Sequence, residues 1–222
     1  MSARSADRAG ERRLRGDGGA VIVEAALALP LIVMLVLGTM EFGMLYQDAN
    51  HLERSVQTAA RVGASMATNG FADYEVLRSL DSSLSKLNKA QVKKIVVYRS
   101  TASNGAVPPA CLTASTTPAT SAHGVSTSSV RCNVYVQAQM AQANPTVGFP
   151  STSITRPSCA GGWDVNWCPS SRRRNIPPDF LGVYVEVEYE PVTNLLHRSK
   201  VTIARKAVFQ VEPCAAGDPA CQ

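Results

Sequence analysis

The chain has 222 residues, of which 45% are hydrophobic and 18% charged, with 22 Lys and Arg against 17 Asp and Glu. That length holds one globular domain with extra segments, or two small domains, and so apolar a composition excludes wholesale disorder. The net charge of +5 is too small and too dispersed for the concentrated basic stripe of a nucleic-acid binder.

Residues 1–19 form a short leader containing Arg12, Arg13 and Arg15. Residues 20–40 then read AVIVEAALALPLIVMLVLGTM, with Glu24 the one charge. As a helix this run spans about 32 Å, enough to cross a hydrocarbon core of about 30 Å. Arginines precede it, and the segment after it opens with the acid Glu41. The positive-inside rule therefore predicts a cytoplasmic N-terminus and an extracytoplasmic C-terminal part. A secretory signal peptide fits less well. Its apolar region is shorter and ends in small residues, whereas Glu41-Phe42-Gly43 follows here. A plain signal anchor accounts for the span but not for Glu24, since a carboxylate in a membrane helix is costly and usually has a partner.

The helical pattern continues past the membrane. Leu45, Ala49, Leu52, Val56, Ala60 and Gly63 recur at spacings of three and four, which predicts one apolar stripe ending near Asn69-Gly70. The small residues Ala59, Ala60, Gly63 and Ala64 permit close backbone approach, either to this chain's own head or to another subunit. A second helix is predicted from Leu77, Leu80, Leu84 and Leu87, with Asp73 as its N-cap.

Four strands follow: Val92–Arg99, a run alternating about Val130 to Gln137, Val183–Glu190, and Val201–Val211. The last two read as an antiparallel hairpin. Strict alternation implies one buried and one wet sheet face. The expected fold is α+β: a long N-terminal transmembrane helix, a short second helix, and a small antiparallel head.

Six cysteines, Cys111, Cys132, Cys159, Cys168, Cys214 and Cys221, all lie in the C-terminal half. An even set with no C-x2–4-C pair points to disulfides in an oxidising compartment rather than to zinc. The expected pairing is sequential: Cys111–Cys132, Cys159–Cys168 and Cys214–Cys221. Residues 100–130 lack formal charge and read as an exposed loop. Trp163 and Trp167 lie inside the Cys159–Cys168 loop, and are expected either to fill a small core or to form a contact patch. Arg172-Arg173-Arg174 reads as a solvated surface run, with binding to anionic lipid or wall polymer as the alternative.

Three blocks in order carry a resemblance: Gly19-Ala-Val-Ile-Val-Glu24-Ala-Ala-Leu-Ala-Leu-Pro30, then Gly38-Thr-Met-Glu41-Phe42-Gly43, then Ala59-Ala60-Arg61-Val-Gly63-Ala64. They resemble the TadE-like family of tight-adherence pilus proteins, with Ala25 where the family usually has an aromatic residue. The closing Phe209-Gln-Val-Glu212-Pro213 is also similar. The resemblance implies a pilin-like stem and a minor pseudopilin that assists pilus assembly. It implies cleavage between Gly19 and Ala20 by a prepilin peptidase, and docking of Glu24 on the N-terminal ammonium of a neighbouring subunit. The implied partners are the cytoplasmic membrane, the peptidase, other pilus subunits and Tad assembly proteins, with no nucleic acid and no small-molecule substrate. The implied divisions are a leader at 1–19, a transmembrane and stem helix at 20–68, and an extracytoplasmic head at 69–222.

No phosphate-binding loop, H-E-x-x-H, G-x-S-x-G or C-x-x-C is present, and Glu186, Glu188 and Glu190 read as a wet strand face. The expectation is a non-enzyme with no cofactor and no metal. The alternative is an uncleaved single-pass protein with a disulfide-stabilised external binding head.

Overall fold

The computed structural model describes residues 18–85, 87, 90–101, 103–142, 148–149, 159–175, 177–191 and 200–214. Residues 1–17 of the expected leader, the expected cysteine partner Cys221 and residues 192–199 lie outside the described residues.

One helix, α1 (Gly18–Ser65), runs for 48 residues and continues through Pro30. A proline there forfeits one backbone hydrogen bond, a defect that membrane helices tolerate. The helix stops before Asn69-Gly70, with Ala67 in the left-handed region at φ 51°. Asn69 serves the next element instead: its Oδ1 accepts the Phe71 amide at 2.9 Å, and its carbonyl accepts that of Ala72 at 3.0 Å. Helix α2 (Ala72–Leu84) follows. Its leucine stripe, Leu77, Leu80 and Leu84, is buried, as is Leu87 just beyond.

The head is one antiparallel sheet. In chain order come β1 (Ala90–Ser100), a one-turn helix α3 (Pro109–Thr113), β2 (His123–Ser126), β3 (Arg131–Tyr135), the short α4 (Gln137–Ala141), β4 (Phe180–Tyr189) and β5 (Val201–Gln210). The spatial order is β2-β3-β1-β4-β5. The predicted hairpin is present, with β4 and β5 paired from Phe180↔Gln210 to Tyr189↔Val201. The long β1–β4 pairing at the centre carries one irregularity at Val92/Lys94.

One sheet face packs on the helices. Leu52, Val56, Ala59 and Ala60 of α1 and Val76, Leu77 and Leu80 of α2 are buried in one cluster with Ile95, Val97, Leu181, Val183, Val185 and Val187. The small-residue stretch of α1 therefore faces this chain's own head. Gly63 makes the approach possible: a Cβ there would lie 2.7 Å from Val76 Cγ2 and 3.2 Å from Leu181 Cδ2.

The opposite face departs from the expected wet surface. Val96, Tyr98, Cys132 and Val134 form a second buried cluster under Cys111, Val107 and Ala114. The segment around α3 thus covers the sheet, where the sequence read as an exposed loop. Its lack of charge suits that position, because an ionised group there would have to be desolvated. The Cys111–Cys132 disulfide fastens it to β3. Closing a loop of 21 residues stabilises by about 3 kcal/mol in the chain-entropy model. Lys94 Nζ donates to the Leu112 carbonyl, and Tyr98 Oη donates to the Gly105 carbonyl at 3.3 Å. The Cys159–Cys168 disulfide also forms as expected. Cys214 is disulfide-bonded as well.

Candidate membrane and assembly site

The first half of α1 presents apolar side chains in every direction. Val21, Ile22, Leu27, Leu31, Met34 and Leu35 are all exposed, though they occupy different faces of the helix. Such a helix needs a surrounding apolar phase, because a helix on a protein core buries only one stripe. Residues Gly19–Ser65 are long and apolar enough to cross a membrane, with a mean hydropathy of 2.7 in the most apolar window and none of that window buried.

The residues singled out for processing and docking lie at the start of this helix. Gly19 and Ala20 are exposed in its first turn, and a Cβ at Gly19 would meet nothing within 4 Å. Glu24 is exposed one turn later, among Val21, Ile22, Val23 and Leu27.

The apolar span gives way to the head at Glu41. This carboxylate is only 4% exposed, while its neighbour Phe42 points outward. Tyr189, at the end of β4, donates from its hydroxyl to Glu41 Oε1 at 3.4 Å. Burial raises the Tyr189 pKa, and the nearby Glu41 and Asp48 carboxylates raise it further. The proton therefore stays on the phenol, which keeps the hydrogen bond to the acid. Burial also raises the Asp48 pKa, partly offset by His51. Further along the stem, Arg205 of β5 pairs with Glu53 at 3.7 Å and Arg61 lies 5.5 Å from the centre of the Phe209 ring. The Glu212 amide donates to the Ala64 carbonyl at 3.1 Å. Stem and head are thus joined along the whole second half of α1.

This arrangement, a naked apolar half continued by a packed half, covers the stretch that carries the sequence blocks. Residues 19–61 match the family of TadE-like proteins. No curated protein and no solved structure matched the chain. The match and the membrane-length helix together support a membrane protein associated with the tight-adherence (Tad) pilus. The helix is consistent with a single pass.

Beyond the TadE-like region, the head holds a polar centre that the sequence did not reveal. Asp73 was expected to cap α2, but Phe71 occupies the cap position and Asp73 is fully buried in the first turn. Its Oδ2 accepts from Tyr135 Oη and from Asn133 Nδ2, each at 2.7 Å, and its Oδ1 pairs with Arg172. Arg172 is buried too, with its guanidinium 4.5 Å from the centre of the Trp167 ring. This corrects the reading of Arg172-Arg173-Arg174 as a solvated run at Arg172 only; Arg173 is exposed as expected and Arg174 half-buried. A carboxylate at the centre of the head holds the first arginine, and Arg173 pairs with Asp179 at 3.2 Å. Burial and the adjacent Asp73 drive the Tyr135 pKa well above the ordinary phenol value. Asn133 also exchanges bonds with the Trp167 backbone, 3.0 Å to its carbonyl and 2.8 Å from its amide. Trp163 stacks edge-on against Phe149 at 5.6 Å. Both tryptophans are core residues, not a contact patch. One signal for Asp73 was available in the sequence. It lies three, four, seven and eleven residues before Val76, Leu77, Leu80 and Leu84, on the apolar face of α2.

Proposed function

We propose that the chain is a minor pseudopilin of a tight-adherence pilus, anchored in the cytoplasmic membrane and assisting assembly or anchoring of the filament. The observation that carries this reading is the coincidence of the family match over 19–61 with an unbroken helix that is apolar and bare in its first half. A prepilin peptidase would remove the leader between Gly19 and Ala20. The N-terminus would be cytoplasmic and the disulfide-bonded head extracytoplasmic. The chain would be the substrate of an enzyme, not an enzyme.

Glu24 would then be the fifth residue of the mature chain. Opposite charges attract strongly in apolar surroundings, and an unpaired one is penalised. The ammonium of a neighbouring mature N-terminus would answer both conditions. Glu24→Ala should therefore abolish or sharply reduce piliation, counted by electron microscopy, while leader removal proceeds. Normal piliation with Glu24→Ala would remove the docking role.

A second reading has an observation in its favour: α1 runs without a break through the Gly19–Ala20 bond. A helical peptide bond must be unwound to enter a protease cleft. An uncleaved single-pass anchor with an external binding head requires no such step. Against it, two glycines, the poorest helix formers after proline, open the helix at Gly18 and Gly19.

A further inference from the structure

The sheet lies lengthwise along α1. Tyr189, at one end of β4, meets Glu41, and Leu181, at the other end, lies beside Gly63. These two stem positions are about 33 Å apart at 1.5 Å per residue. The start of β4 is therefore the end of the head farthest from the apolar span.

A cavity of about 370 Å³ opens at that far end. Its volume lies within the range of small-molecule sites. Arg99 from β1 and Arg173 from the segment before β4 line it, together with Asp179. Both arginines reach Asp179 Oδ1 through Nε, at 3.0 and 3.2 Å. Asp179 is itself fixed in place. Its Oδ2 accepts the Arg173 amide at 2.9 Å, its own amide donates to the Arg173 carbonyl at 2.9 Å, and its side chain is 4% exposed.

Asp179 orients the two guanidiniums but does not saturate them. Each guanidinium has five N–H donors, while one carboxylate offers about four acceptor positions. One of those positions already goes to a backbone amide. The arginine side chains remain 26% and 53% exposed. Two positive charges against one negative leave the wall cationic. The rest of the lining has a consistent chemistry. Thr101, Ser128 and Ser129 supply exposed hydroxyls, and Pro177, Pro178 and Phe180 supply an apolar side.

We propose that this cavity binds an oxyanion, a carboxylate or phosphate, carried on a small hydroxyl-bearing molecule the size of a sugar. Paired guanidiniums match the planar geometry of such anions. The hydroxyls hydrogen-bond the ligand's own hydroxyls, and the prolines and Phe180 cover its C–H face. The apolar span lies at the other end of the head, so the ligand is not a headgroup of the lipid around that span. This goes beyond the pilus reading and does not depend on it.

The test uses the full chain in nanodiscs of zwitterionic lipid, titrated with glucuronate, glucose 6-phosphate or glucose and followed by saturation-transfer NMR. One or both of the acids should bind at millimolar concentration or better, and glucose should not. Binding by glucuronate alone marks a carboxylate site, by the sugar phosphate alone a phosphate site, and by both a general oxyanion site. Arg173→Gln should weaken binding at least about tenfold, the scale of one lost charge-assisted contact. Ser129→Ala, at an exposed position, should weaken it less without shifting the melting temperature. The proposal is overturned if neither acid binds, if glucose binds as well as the acids, or if both variants bind like the parent.

Discussion

The two halves of α1 are one helix in two different surroundings. From Val21 to Val36 its apolar side chains are exposed all round; from Ala49 to Ala64 a narrow stripe of Leu52, Val56, Ala59, Ala60 and Ala64 is buried and the other faces are wet. The first half can be satisfied only by a phase it does not carry with it. The second half is satisfied internally, by the sheet and by α2. The difference shows where intermolecular contact is still available. Small residues on a stem invite the idea of packing between subunits, but here Gly63 and its neighbours are used within the chain. The apolar half remains for a surrounding apolar phase, as a membrane supplies.

The contrast can be broken most severely from the head side. Replacing Asp73 by Ala leaves Arg172 charged and buried without its carboxylate, and removes the acceptor of Tyr135 and one of the two acceptors of Asn133 Nδ2. Loss of one partner of a buried ion pair costs about 3–5 kcal/mol. Asp73→Ala should therefore lower the denaturation midpoint of the head sharply while the protein still fractionates with the membrane. A variant with an unchanged midpoint would mean that the polar centre does not hold the head together.

The reverse break is somewhat smaller. Leu31 is exposed in the middle of the apolar run. Leu31→Arg places a charge where insertion costs about 2.5–3.5 kcal/mol. Membrane insertion should fall, as read by alkaline extraction, while any head that is made should melt as the parent does. If the head is destabilised as well, the two halves are not independent.

The mildest test is alkaline titration. Burial pushes Tyr98 and Tyr184 up to about 12, from an ordinary value of 10, and holds Tyr135 higher than ordinary as well. The folded head therefore keeps protons that the unfolded chain releases. Their contribution to stability is complete below pH 10 and declines as pH rises toward 12. The share of the phenolate absorbance due to Tyr98, Tyr135 and Tyr184 should lag behind that of free tyrosine until the head unfolds, and then rise in one cooperative step. Gradual titration of all six tyrosines near pH 10, with no cooperative step left at higher pH, would show that these phenols are not buried.

Much of this was legible because periodicity survives translation into structure. The stem stripe, the leucines of α2 and the valines of β4 each report their buried face at the spacing of their element. The disulfides Cys111–Cys132 and Cys159–Cys168 followed the order of the cysteines. Apart from Asp73, what escaped had no local signal. Strand β2, His123–Ser126, is four residues long and contains glycine and serine, and it exists because β3 offers it a partner. The second buried face of the sheet depends on a distant segment folding over it. Arg172 looks like its neighbours in sequence and differs from them only through Asp73, 99 residues away. The stem sites Gly19, Ala20 and Glu24 stood out by motif alone: among the described residues they are exposed positions at the start of α1 like their neighbours.

The intact mass of the protein from its own membrane, with and without the prepilin peptidase, decides whether residues 1–19 are removed. A chain beginning at Ala20 only when the peptidase is present is the expected result. A chain that keeps residues 1–19 in both strains would contradict the pseudopilin reading and leave an uncleaved membrane anchor carrying an external head.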